Sequence, residues 1–203
     1  MASLDLIIKS TIQAVALSAI SNILAQLLDA YNSSKPFSLD TATLTRFIFF
    51  SLFSCPPNVL WQSFLEQRFP GYTTPPPPPH TNGASKPRPN PNDKPAAAHK
   101  KKLNKANTAK KWALDQTVGA LANTVAFVAG MLLLRGERDW GTIAGAVRRE
   151  TWPLMAAGQK VWPLFSVVSF ALVPLEYRTL AGGLVGLGWG TYLSLMEGKK
   201  KTA

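Results

Sequence analysis

The sequence predicts an all-α fold: a polytopic integral membrane helical bundle of four transmembrane helices plus a partly inserted segment. Three observations carry this. Of 203 residues, 46% are hydrophobic and only 16% charged, against a usual charged share of about a quarter. The charges avoid long stretches: Ser10 to Leu28, Phe47 to Leu65 and Gln116 to Leu134 each run 19 residues without one. Finally, Trp61, Trp112, Trp140, Trp152 and Trp162 stand near the ends of apolar runs, where an amphipathic indole meets the headgroups. A helix of 19 residues measures about 28 Å, close to the roughly 30 Å hydrocarbon core. A charge at mid-membrane costs roughly 2.5–3.5 kcal/mol, whereas a soluble bundle shows a charged face every turn or two.

The first two runs place two spans within residues 1–72. The N-terminal run is too long for a signal-peptide core and has no Arg-rich leader before it, so targeting is expected to be internal. Residues 73–107 form a Pro/Lys-rich loop; ten of the 16 prolines lie between Pro70 and Pro95. Proline fixes φ and removes donors, so this loop is expected to be extended and disordered. Residues 108–203 hold the remaining spans. Here the run Val161 to Leu175 is short at 15 residues, and Thr179 to Met196 has 18. Pro153 and Pro163 suit the first turn of a helix. Pro174 should kink or end a helix near Val173.

Charge sets the expected topology. The formal net charge is +11, and most lysines and arginines fall in the N-terminus, the Glu66–Asp115 loop and the tail Lys199 to Lys201. With four spans these three share one side, and the bias puts both termini there. The cluster Lys100-Lys101-Lys102, Lys105, Lys110 and Lys111 suits anionic lipid headgroups or a membrane-protein targeting receptor. Nucleic acid is not expected, since no interleaved aromatics accompany it. Asp115, four residues after Lys111, would pair with it on a helix.

Few chemistries remain. One cysteine, Cys55, and two histidines, His80 and His99, both in the loop, leave no basis for a disulfide framework, a metal site or His-based catalysis. No enzyme and no cofactor are expected. Polar stripes recur instead at helical spacing: Ser18, Asn22 and Gln26 in the first span; Ser51, Cys55, Asn58 and Gln62 in the second; Gln116 and Asn123 in the third. They suit interhelical hydrogen bonds or the lining of a water-filled path, with Ser18, Asn22, Gln26, Asn58, Gln62 and Asn123 as candidates. Gly182, Gly186 and Gly190 repeat every four residues, a face for close helix packing within the chain or between copies.

Lys111-Trp112-Ala113-Leu114-Asp115-Gln116 resembles the K-x-x-x-D-Q opening of the family of the 22-kilodalton peroxisomal membrane protein and its Mpv-type mitochondrial inner-membrane relatives. Trp152-Pro153, Trp162-Pro163, Phe170, Pro174, Arg178 and Trp189 match its later W-P…W-P…V-P-x-x-x-R…W pattern. Pro56 and Trp61 fit an upstream element. Cys55, Gln62, Ser166, Ser169 and Gly190 depart from the pattern. The resemblance implies a small integral membrane protein of the peroxisomal membrane, which the tail and basic cluster favour, or of the mitochondrial inner membrane, forming a weakly selective pore for small metabolites. A non-enzymatic scaffold assembling copies or partners through its glycine face is the alternative.

Overall fold

The computed structural model describes residues 2–73 and 102–201, with side chains described for 2–72 and 103–188. The loop prolines from Pro75 to Pro95, both histidines, and the side chains at Trp189 and Gly190 lie outside the described residues.

Seven α-helices make up almost all of it. Helix α1, Leu4–Asn32, opens on Ser3, whose Oγ accepts from the Leu6 N–H at 3.2 Å. Helix α2, Thr41–Arg68, opens on Asp40, whose side chain accepts from the Thr43 N–H, and the helix runs through Pro56 and Pro57 without breaking. A two-residue antiparallel pair, β1 (Tyr72–Thr73) with β2 (Lys102–Leu103), pins the base of the long loop. Helix α3, Lys105–Leu114, continues through a π-helical turn, Asp115–Gly119, into α4, Ala120–Leu134. Within the loop expected over 73–107, residues 102–107 are ordered as a strand end, a cap and a helix start, held because Asn104 caps α3 and its N–H donates to the Gly71 carbonyl.

A turn containing Gly136 at φ +96°, a left-handed backbone that suits glycine, leads to α5, Trp140–Gly158, capped by Asp139. Helix α6 is Trp162–Leu172, and α7 is Leu175–Lys201. Pro163 occupies the first turn of α6 as expected, and Pro174 separates α6 from α7 with Val173 as the C-cap. Pro153 departs from expectation. It lies well inside α5, so Trp152-Pro153 does not open a helix.

The order of contacts fixes direction. Helices α1 and α2 are a hairpin, as are α2 and the α3–α4 helix: Phe50 packs on Phe127 near one end, and Trp61 reaches Asp115 near the other. Lys9 lies over the Tyr177 ring, and Leu17 meets Gly183, so α1 and α7 run parallel. The far end of α7 therefore stands opposite the N-terminus. This corrects the arrangement expected from charge, with both termini on one side. The return passage is made by α5 and α6 in tandem, from the α4 exit back to Phe170 beside Lys111. The N-terminal side is called the loop end below, and the side of the α1–α2 and α4–α5 turns the turn end.

Burial is reversed from that of a water-soluble domain. Among the described residues the buried set holds ten polar or charged side chains and eight apolar ones, while Ile12, Phe53, Leu60, Phe64 and Leu164 are exposed. Water-soluble folds do the opposite. Two helices, Leu4–Asn32 and the continuous Lys105–Leu134, are long and apolar enough by length and composition to cross a membrane.

An open pocket beneath a bridged ion cluster

Half-buried Asn58 on α2 and exposed Asn123 on α4 line one open pocket. Its volume is about 360 Å³, and Ser51, Ser54, Cys55, Thr124, Trp162 and Thr179 complete most of its wall. The wall is uncharged. Each asparagine lies eight residues from the first charge towards the loop end, Glu66 or Asp115, a depth of about 12 Å along a helix. Neither amide makes a hydrogen bond among the described residues.

Above the cavity, two bonded layers tie four helical segments together. In the lower one, the Asp115 carboxylate accepts from Trp61 Nε1 at 3.3 Å, Gln62 Nε2 at 3.1 Å and Ser166 Oγ at 2.9 Å. The π-helical turn begins at Asp115, and such turns re-aim side chains. Gly119 within it leaves room for the indole, since a Cβ there would lie 2.9 Å from Trp61 Nε1.

In the upper layer, Glu66 Oε2 accepts from Lys111 Nζ at 2.7 Å and from Arg178 Nη2 at 2.8 Å. The Gly71 N–H donates to Glu66 Oε1 at 3.0 Å. Both cations flank the Phe170 ring, at 5.2 and 5.0 Å from its centroid. Arg178 Nε also donates to the Val173 carbonyl, satisfying a backbone acceptor freed at the Pro174 break. Lys111 is fully buried, which carbon stems and a shared carboxylate make tolerable. Arg178 Nη1 is buried without a hydrogen-bond partner.

The predicted residues thus divide. Asn58 and Asn123 line the cavity. Ser18 Oγ donates to the Phe47 carbonyl between α1 and α2. Gln26 brackets the backbone of Asp40, with Nε2 donating to its carbonyl and Oε1 accepting from its N–H, and Asn22 Oδ1 accepts from the same amide. Gln62 belongs to the Asp115 layer. Gln116 keeps a buried Oε1 without a partner. Lys111 pairs with Glu66 and not with Asp115, correcting the expected i, i+4 pair. Trp152 is 71% exposed, whereas Trp162 packs edge-on against Phe165. Gly182 and Gly186 face Phe165 and Trp162 of α6, so this glycine face is filled from within the chain.

Glu66 was not singled out in the sequence. Its signal was position: Glu66, Lys111, Asp115 and Arg178 each stand within a few residues of an uncharged run, so the runs bring them to one level.

Fold and site define a helical bundle with many exposed apolar side chains, a largely polar buried set and a buried Glu66–Lys111–Arg178 ion cluster. Residues 132–194 match the model of the Mpv17 / PMP22 family, and the chain resembles that family through its C-terminal part. The matched range begins after the K-x-x-x-D-Q segment. PXMP2/4 family protein 3 of Dictyostelium discoideum is 36% identical over 91 residues, 45% of this chain and 48% of that protein. Protein SYM1 of Saccharomyces cerevisiae is 31% identical over 94 residues, 46% and 47% of the two chains. Mpv17-like protein of Bos taurus is 34% identical over 83 residues, 41% of each. The chain spans about half the length of the curated relatives it matches. No solved structure matches it.

Proposed function

We propose that this is an integral protein of an organelle membrane that passes small solutes through the bundle interior, limited by size more than by charge. Helices α1, α2, the α3–α4 helix and α7 are spans, and α5 with α6 in tandem makes a fifth crossing in place of the partly inserted segment expected from the sequence. One observation carries the passage reading. Half-buried Asn58 and exposed Asn123 line one open pocket at mid-depth and make no hydrogen bond within the described chain. In hydrocarbon an unbonded amide costs several kcal/mol, so water in the cavity is the natural partner. The uncharged wall supplies no strong charge filter and no acid, base or nucleophile pair, and we assign no catalysis to it.

The purified protein in planar bilayers should conduct small solutes above blank membranes. Replacing both asparagines, Asn58→Leu with Asn123→Leu, should reduce that conductance several-fold while the protein still inserts. Absence of conductance, or conductance indifferent to the double replacement, would overturn the reading. The peroxisomal membrane is the organelle favoured here, on the lysine cluster before the third span, with the mitochondrial inner membrane as the alternative. Imaging a tagged copy against both markers decides. A scaffold assembled through the glycine stripe is less favoured, because α6 already covers Gly182 and Gly186.

A further inference from the structure

A second concavity lies on the outer side of α2 and α4. It holds about 510 Å³ and is walled mainly by apolar or small side chains, among them Phe53, Pro57, Ala122, Ala126, Gly130 and Leu134. Gly130 deepens it, since a Cβ there would touch the Phe50 ring at 3.2 Å. Asn58 and Asn123 belong to both its wall and that of the inner cavity, so the groove and the cavity meet at the two amides.

The groove ends at a basic rim. Arg135 follows Leu134 directly, Arg138 is three residues on, and Arg46 stands one turn before Phe50. Arg135 and Arg138 are exposed. The carboxylates nearby are already engaged. Asp40 accepts from Thr43 and Asp139 from Gly141 and Thr142, bonds that hold both below the usual carboxylate range. Glu137 accepts from the backbone N–H groups of Arg138 and Asp139. Arg46 and Arg135 make no hydrogen bond to any described side chain, while Arg138 donates only to the carbonyls of Leu133 and Glu137.

We propose that the groove between α2 and α4 binds one acyl chain of an anionic phospholipid whose phosphate is held by Arg135 and Arg138. The dimensions agree. From Leu134 to Asn123 is 11 residues, about 16 Å of helix, and one leaflet contributes roughly 15 Å of hydrocarbon, half the core thickness. The wall runs on past the amides to Val118 and Trp61, so a chain of that length entering at the arginines fills the turn-end part of the groove as far as the amides. A second copy is the poorer occupant. Two copies inserted the same way meet at equal depth about their two-fold axis, which brings the arginines of both to one level. A phosphate neutralises them instead. The site depends on the membrane reading but not on solute passage.

The test uses the full chain in phosphatidylcholine vesicles carrying a minor fraction of phosphatidylglycerol with a photoactivatable acyl chain. Adducts should concentrate on residues 50–58 and 123–134, several-fold above the lipid-facing side of α1 at Ile12 and Ile20. Excess unlabelled phosphatidylglycerol should compete for the groove, and phosphatidylcholine should not. Arg135→Gln with Arg138→Gln should remove this preference, and Ala126→Phe should abolish groove labelling at unchanged circular dichroism. Equal labelling of groove and α1, or labelling indifferent to headgroup, would overturn the site. Cross-linking of one copy to another in the groove would overturn it in favour of a dimer. Release of the chain by carbonate, with no labelling anywhere, would overturn the membrane reading as well.

Discussion

Replacing Glu66 should be the most damaging single change at the loop end, and the structure says by how much. Its Oε2 is shared by Lys111 and Arg178, so Glu66→Gln strands two buried cations, one of them with no exposure. Breaking a buried pair from one side costs about 3–5 kcal/mol. Glu66 retains 29% exposure, which admits some water and places the loss near the low end, about 3 kcal/mol. That is roughly a 150-fold shift in the folding equilibrium, at 1.36 kcal/mol per tenfold. Lys111→Met differs in kind. It removes one cation and keeps the 2.8 Å Arg178–Glu66 pair and much of the packing on Phe170, so about 1–2 kcal/mol is expected. Unfolding of both variants in mixed micelles by a denaturing detergent gives the two losses on one scale. Glu66→Gln is expected below Lys111→Met in stability. The reverse order, or equality, would show that the carboxylate is not the shared anchor.

Two further outcomes follow from helix packing and direction. A Cβ at Gly182 or Gly186 would meet Phe165 or Trp162 at ordinary distances of 3.5 and 3.6 Å, whereas one at Gly183 would run into Leu17 of α1; in the same micelle titration Gly183→Ala should lose about 1–2 kcal/mol, as overpacking does, with Gly182→Ala and Gly186→Ala nearly silent. Because α7 runs parallel to α1, tags at the two termini should lie on opposite sides of the membrane; protection of both, or cleavage of both, when protease is added to sealed organelles would contradict that path.

The glycines show where sequence reading stops. A four-residue repeat identifies the side of a helix that lacks side chains, and Gly182 and Gly186 do lie against α6. It does not report which neighbouring glycine meets a backbone-near side chain, and that position is Gly183, off the stripe. The long uncharged runs gave α1, α2 and α4 because solvent alone dictates them, and Pro174 gave the α6–α7 break because a missing N–H is a local fact. Direction was harder. Counting basic residues assumes that every loop is placed by its own charge, but α5 and α6 together return the chain through a segment whose uncharged part has only 15 residues. The Lys111–Asp115 pair failed for a related reason. Spacing permits it, yet the π-helical turn and the nearby Glu66 give both residues partners from other helices, and such partners are invisible to a local rule.

The same distinction separates the polar stripes from one another. In a membrane bundle, amides and hydroxyls at spacings of four hold helices together by bonding across them. Ser18, Gln26 and Gln62 do this, Asn22 accepts from Gln26 within α1, and each has a partner within 3.2 Å. Asn58 and Asn123 lie on neighbouring helices at matching depth and face the same space, yet they do not bond to each other or to anything else described. Interhelical bonding within the described chain is therefore not what these two amides contribute. Under the proposed passage their partner is water, the smallest molecule that both donates and accepts, and the Asn58→Leu with Asn123→Leu variant tests that role.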